Sequence, residues 1–119
     1  MDREKLLDLY KKYELEKTDV YKHQHYVIIT RQGIEKIAAK ENIAINYEVV
    51  KCEPSFAVVK AYAKKEEVQI ETFGSALKGA NYKDGNCNSW YVMEMAEKRA
   101  LSRSVLKLTG FYELGVFGE

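Results

Sequence analysis

Residues 89–110, SWYVMEMAEKRALSRSVLKLTG, decide the fold. At 100° per residue, Trp90, Met93, Glu97, Ala100, Leu101, Ser104, Val105 and Leu108 fall on one side of a helix. Tyr91, Met95 and Leu106 fall on another. Between them Arg99, Arg103 and Lys107 follow one another at i, i+4 and i+8, and Lys98 borders the first apolar side. A surface helix needs only one apolar stripe. Two predict a helix held between its own sheet and a second body, such as a neighbouring subunit. Asn88 or Ser89 is the expected N-cap. Gly110 stands where a left-handed residue ends a helix, with Phe111 placed to fold back on the last turn.

Working outward, the residues before this helix read as strands. Ile45, Tyr47 and Val49 alternate with Asn46, Glu48 and Val50. Pro54-Ser55 is a turn. Phe56, Val58, Lys60 and Tyr62 alternate with Ala57, Val59, Ala61 and Ala63. Lys64-Lys65-Glu66 is the next turn, and Val68, Ile70 and Thr72 alternate with Gln69, Glu71 and Phe73. Short connections between alternating runs make an antiparallel meander. From Gly74 to Asn88 three glycines, three asparagines and an Asp-Gly pair read as a long loop. Unstructured loops of that length are often functional.

Further upstream, a first helix is expected from Asp2 to about Leu15, with Leu6, Leu7, Leu9, Tyr10 and Tyr13 as its apolar positions. Glu14 to Lys22 reads as a polar connector. Tyr26–Ile29 is a brief strand, and Thr30 caps a second helix over 31–41 that stops at Asn42. The expected architecture is α+β: a three-stranded antiparallel β-meander with a long C-terminal helix packed on it and additional N-terminal helices. One domain of 119 residues suffices, with residues 1–22 as helix and connector and 26–111 as the core.

The net charge is +1, so bulk electrostatics select no partner. Between Lys51 and Tyr112 ten bases face seven acids, so any basic surface must come from arrangement. Two cysteines make no disulfide framework, and the charged start at residues 2–5 is no signal peptide. A cytoplasmic setting and no membrane span follow as expectations.

If Val59, Ala61 and Ala63 face the helix, then Phe56, Val58, Lys60, Tyr62 and Lys64 share the opposite face. Lysines among aromatics on an open sheet suit single-stranded nucleic acid, ammonium to phosphate and ring to base. The same pattern also describes an ordinary half-exposed strand. His23 and His25 share one face of an extended segment, but no CxxC or HxxxH spacing completes a metal site. Cys52 reads as a small apolar filler. Glu48, Glu53, Glu71, Asp84, Glu94 and Glu97 form no recognisable nuclease motif, and no phosphate-binding glycine loop is present. Neither cofactor nor metal nor catalysis is therefore expected.

Ala96-Glu97-Lys98-Arg99-Ala100-Leu101, closing in Leu108-Thr109-Gly110-Phe111, resembles the terminal helix of the single-strand annealing proteins. These are the eukaryotic annealing recombinase and its phage relatives, including the Erf type. An upstream helix, here Gln32-Gly33-Ile34-Glu35-Lys36-Ile37-Ala38, and a three-stranded sheet precede that helix in the family. The resemblance spans Tyr26 to Phe111 in element order, and only the last helix carries a motif. It implies a phage-type, non-enzymatic protein of the bacterial cytoplasm that binds single-stranded DNA and anneals complementary strands. It also implies a ring or arc of identical subunits, with a phage exonuclease or the host single-strand-binding protein as possible partners. By position, Lys98 and Arg99 match the family's backbone-contacting basic pair. Arg103 and Lys107 continue the strip, and Lys51, Lys60, Lys64 and Tyr62 lie in comparable strands. The chain departs from the family in its small size and low net charge. The order helix, three strands, helix also fits a double-stranded RNA-binding module, although that module places its lysines at the start of the last helix. A protein-interaction adaptor is the remaining alternative.

Overall fold

The structure, a computed structural model, describes residues 3–81 and 83–118. Three helices and six strands follow in the order α1 (Arg3–Lys12), β1 (Val20–His23), β2 (Tyr26–Ile29), α2 (Arg31–Lys40), β3 (Ala44–Glu53), β4 (Phe56–Lys65), β5 (Val68–Leu77), α3 (Val92–Leu108) and β6 (Val116–Gly118). A short 3₁₀ turn, Tyr112–Leu114, joins α3 to β6. Strands β3, β4 and β5 form the expected antiparallel meander, and α3 packs across it.

The alternation in β4 decides which way the sheet faces. Ala57, Val59, Ala61 and Ala63 are buried beneath the helix, whereas Phe56, Val58, Lys60 and Tyr62 lie on the other face. Opposite the alanines, α3 presents Val92, Ala96 and Ala100. Small residues on both sides let the helix approach closely. The approach is tightest at Gly74 on β5, where a Cβ would run into the carbonyl oxygen of Ala96 and lie 2.5 Å from the amide nitrogen of Ala100. Beside it the buried Thr72 hydroxyl donates to the carbonyl of Ala100 at 2.8 Å.

Helix α3 does have two apolar sides, both covered by this chain, but their membership differs from the expected one: Leu101 and Val105, expected beside Ala100, turn to the same side as Leu106, and Met95 joins Ala96 and Ala100. Leu101, Val105 and Leu106 pack with Leu6, Tyr13, Val27, Ile29, Ile34, Ile37, Phe111 and Val116. Each such side chain contributes roughly 1.5–3 kcal/mol on burial. The covering body is built from α1, α2 and a second sheet of order β1-β2-β6, in which β6 pairs parallel to β2. No neighbouring subunit is needed to explain the two apolar sides. Helix α3 is thus the shared wall of two cores, alanine-lined towards one and leucine-lined towards the other.

Capping follows the sequence at α2 and departs from it at α3. The Thr30 hydroxyl accepts from the Gly33 amide at 3.3 Å, and Asn42, at φ 51°, takes the left-handed position that stops α2. Gly110 does the same for α3 at φ 86°, with Phe111 fully buried behind it. The start of α3 lies three residues later than expected. The Ser89 hydroxyl accepts from the Tyr91 amide and makes a local turn instead of a cap, so neither Asn88 nor Ser89 opens the helix. Trp90 and Tyr91, expected on different apolar sides of the helix, therefore lie before it and stand exposed.

Other expectations are corrected in detail. The helix expected over residues 2–15 ends at Lys12, Leu7 is exposed, and Asp2 lies outside the described residues. Part of the supposed connector is β1, which turns back onto β2 through Gln24 at φ 57°. The β4–β5 turn falls at Glu66-Glu67, with Glu66 at φ 55°. Strand β5 runs on to Leu77, so the loop begins at Lys78. Cys52 is exposed on β3, not a core filler.

Candidate nucleic-acid groove

The two sheets leave a channel where α3 passes between them. Its floor is the helix face carrying Arg99, Ser102, Arg103, Leu106 and Lys107. One bank is the outer edge of β5 with Glu71, Thr72 and Phe73, and the other is Tyr112, Phe117 and Gly118. The cleft encloses about 610 Å³. Three bases at i, i+4 and i+8 thus line a groove with aromatic rings on both banks.

The geometry of the bases is fixed by backbone carbonyls. Strand β5 is a sheet edge, and its residues of odd number turn their peptide groups outward. Leu77 shows this directly, since its amide donates to the Asn86 side chain and its carbonyl accepts from the amides of Asn86 and Cys87. At the same edge Arg103 donates to the carbonyl of Phe73 at 2.7 Å. Arg99 donates to the carbonyl of Ser75 and, through its second terminal nitrogen, to that of Asn86, each at 2.7 Å. A guanidinium has five N–H donors, so these bonds orient the side chains without consuming their charge or all their donors.

The aromatic banks are equally ordered. Phe117 meets Tyr26 edge-on at 5.3 Å and Tyr112 at 6.2 Å, and the Lys107 ammonium stands 5.2 Å over the Tyr112 ring. Phe73, half exposed, lies 5.4 Å from the Lys60 ammonium and marks where the groove rim passes onto the open sheet face.

The expected site residues divide between these surfaces. Arg99, Arg103 and Lys107 are brought together in the groove. Lys98 is half-buried and is not among the groove-lining residues. Lys51, Lys60, Tyr62 and Lys64 share the open face of the sheet, where the register sets carboxylates beside them. Lys51 pairs with Glu53 at 3.8 Å and Lys60 with Glu71 at 3.5 Å, and the Tyr62 hydroxyl donates to Glu48 at 2.6 Å. That bond to Glu48, with burial behind it, raises the Tyr62 phenol above its ordinary value. Burial lowers the Lys60 ammonium, but its bonds to Tyr62 and Glu71 outweigh that and leave it raised. The open face is therefore charge-balanced, and the groove holds the concentrated positive charge. Among the described residues no cluster of His, Cys, Asp and Glu could hold a metal ion.

The bank residues Phe73, Tyr112 and Phe117 carry no signal in the sequence that marks them for a site. Tyr112 and Phe117 reach the groove because the chain returns to pair β6 with β2, and three residues of strand give no periodic pattern. Comparison with protein families, with curated proteins and with solved structures finds no match for this chain. No helix among the described residues is long and apolar enough to cross a membrane.

Proposed function

We propose that the chain binds single-stranded DNA along the α3 groove and promotes the annealing of complementary strands without breaking a covalent bond. The observation that carries this reading is the groove itself. Arg99, Arg103 and Lys107 stand in line on its floor, and Phe73, Tyr112 and Phe117 stand on its banks. A positive track flanked by ring faces is what an unpaired strand requires, phosphates along the track and bases against the rings. Neutralising two strands' phosphates lowers the repulsion between them, and Watson–Crick pairing then supplies the specificity. The resemblance of residues 96–111 to single-strand annealing proteins points the same way. The duplex-RNA reading is less well supported, because the groove bases lie in the later part of α3.

Side-by-side assembly belongs to the same proposal. The surface that favours it is not the second apolar side of α3, which is covered, but the outer edge of β3, where Tyr47, Val49 and Val50 are exposed. The deciding experiment mixes the protein with two complementary oligonucleotides and follows duplex formation. Replacing both Arg103 and Lys107 by Ala is expected to keep the fold and slow annealing. It should flatten the log–log salt dependence of single-strand binding by roughly 0.7 for each phosphate the protein no longer neutralises. Unchanged annealing and an unchanged salt slope would remove the groove from the function.

A further inference from the structure

Beyond the groove, the segment 78–91 carries the most exposed large apolar side chains of the described residues. Trp90 is 69% and Tyr91 70% exposed. The two rings are adjacent in sequence and both stand in solvent. The surroundings of Trp90 are not those of a protein-docking patch. The Lys78 ammonium stands 4.3 Å from the ring centroid, and Asn88 and Ser89 precede it in the chain. The neighbouring hollow of about 350 Å³ is lined by Asn81, Asn86, Asn88 and Ser89, and it ends at Arg99. Arg99 also lines the groove, so one residue borders both concavities. Val92, which opens α3 two residues after Trp90, lies about 10 Å along the helix axis from Arg99 at 1.5 Å per residue. That places a cation-flanked aromatic platform at the end of the basic track.

We infer that Trp90, with Tyr91 and Lys78, is a stacking site for an unpaired nucleobase of a strand whose backbone lies in the α3 groove. This inference rests on the groove reading and adds to it a base contact that no phosphate-binding residue supplies. The ring face takes the base, Lys78 meets an adjacent phosphate, and the contact is tolerant of sequence because every base has a π-face.

Trp90 is the only tryptophan in the chain, so its own fluorescence reports the site. The probes are an oligothymidylate and an abasic oligomer of equal length, each carrying a distant dye whose anisotropy reports total binding. Oligothymidylate is expected to quench Trp90, and the abasic oligomer is expected to bind through the groove without quenching it. Trp90→Ala should weaken oligothymidylate binding by about tenfold or more, leaving abasic binding and the salt slope as in the parent. Trp90→Phe should restore most of the affinity. Being exposed, Trp90 can be replaced without opening the core. If oligothymidylate binds while the indole is silent, or if Trp90→Ala binds it like the parent, the stacking site is overturned and the groove reading stands. Equal quenching and equal weakening with the abasic oligomer also overturn it, since the contact is then to backbone alone. No anisotropy change with either oligomer overturns the groove reading and this inference together.

Discussion

The two edges of the β3-β4-β5 sheet are treated in opposite ways. At β5 the outward carbonyls of Phe73, Ser75 and Leu77 are each taken, by Arg103, by Arg99 and by the backbone of the loop that follows. Helix α3 lies over that edge and Gly74 lets it sit there without a gap. At β3 no residue of the strand is buried and all but one are exposed. There a register shift between Val49 and Lys51 bulges the strand. An edge left open with exposed valines is a template for another strand, whereas an edge sealed by arginines is not. The difference teaches that the basic strip of α3 has two tasks. It closes one edge against pairing, and in doing so it is aimed into the groove.

That contrast can be broken most severely at Gly74. Gly74→Ala places a methyl group against the backbone of α3, and the expected loss is about 3 kcal/mol or failure to fold, read by urea denaturation. A variant as stable as the parent would mean that α3 does not seat on β5 as described.

On the open side, the sheet is tied to the N-terminal body by Glu41. Its carboxylate is bonded by Lys65 at 2.8 Å and by the Tyr13 hydroxyl at 2.9 Å, with Lys12 at 3.4 Å. The Lys65 bond foremost, with Tyr13 and Lys12 adding to it against the effect of burial, holds the group down to about 2 from 4.5. Because the folded value is depressed, the stabilisation is full above about pH 4.5 and is lost as pH falls towards 2. It amounts to on the order of 3 kcal/mol. Thermal melts across this window should show the decline in the parent, and Glu41→Gln should remove that component. An identical acid limb in the variant would assign the decline to other carboxylates.

Arg99→Ala sharpens the comparison from the closed side. It strips two charge-assisted bonds from half-exposed carbonyls, with an expected cost of about 2 kcal/mol. Hydrogen exchange at the outward amides of β5 should accelerate while those of β4 stay protected. The smallest effect on stability is expected at Val49→Lys on the open edge, within about 0.5 kcal/mol. Light scattering across a wide concentration range should nonetheless show self-association abolished. A parent that is monomeric at every concentration would retire the assembly proposal.

The sheet was legible because alternation along ten-residue strands is a strong signal, but alternation alone left open which face of β4 is buried, and the structure puts the alanines beneath the helix. The caps of α2 and the stop at Gly110 were legible because each needs a particular residue type. What was not legible depended on distant chain. That α3 has two apolar sides was legible, but periodicity misassigned Leu101, Val105 and Met95 between them and cannot say whether the cover is another molecule or other parts of the same chain. The start of α3 was misplaced because Ser89 spends its hydroxyl one turn too early. For the site, i, i+4, i+8 spacing correctly aligned Arg99, Arg103 and Lys107. Lys98, their neighbour in sequence, stands about 100° away from Arg99 around the helix and outside the groove lining, in keeping with its expected place bordering the apolar side. Lys60, Tyr62 and Lys64 share one face as expected, but the carboxylates that partner Lys60 and Tyr62, Glu71 of β5 and Glu48 of β3, appear only once the register is known.

The parallel pairing of β6 with β2 has a consequence for the order of events during synthesis. Val27 finds Val116 as its strand partner, so the small sheet joins early residues to the last ones described. Until residues 116–118 leave the ribosome, β2 has a partner on one side only, and the leucine face of α3 lacks part of its cover. The meander can form from local hairpins as it emerges, but closing the loop from β2 to β6 must wait and is entropically the more demanding step. The contacts of the meander are local in sequence, whereas the small sheet cannot close until the last described residues are made.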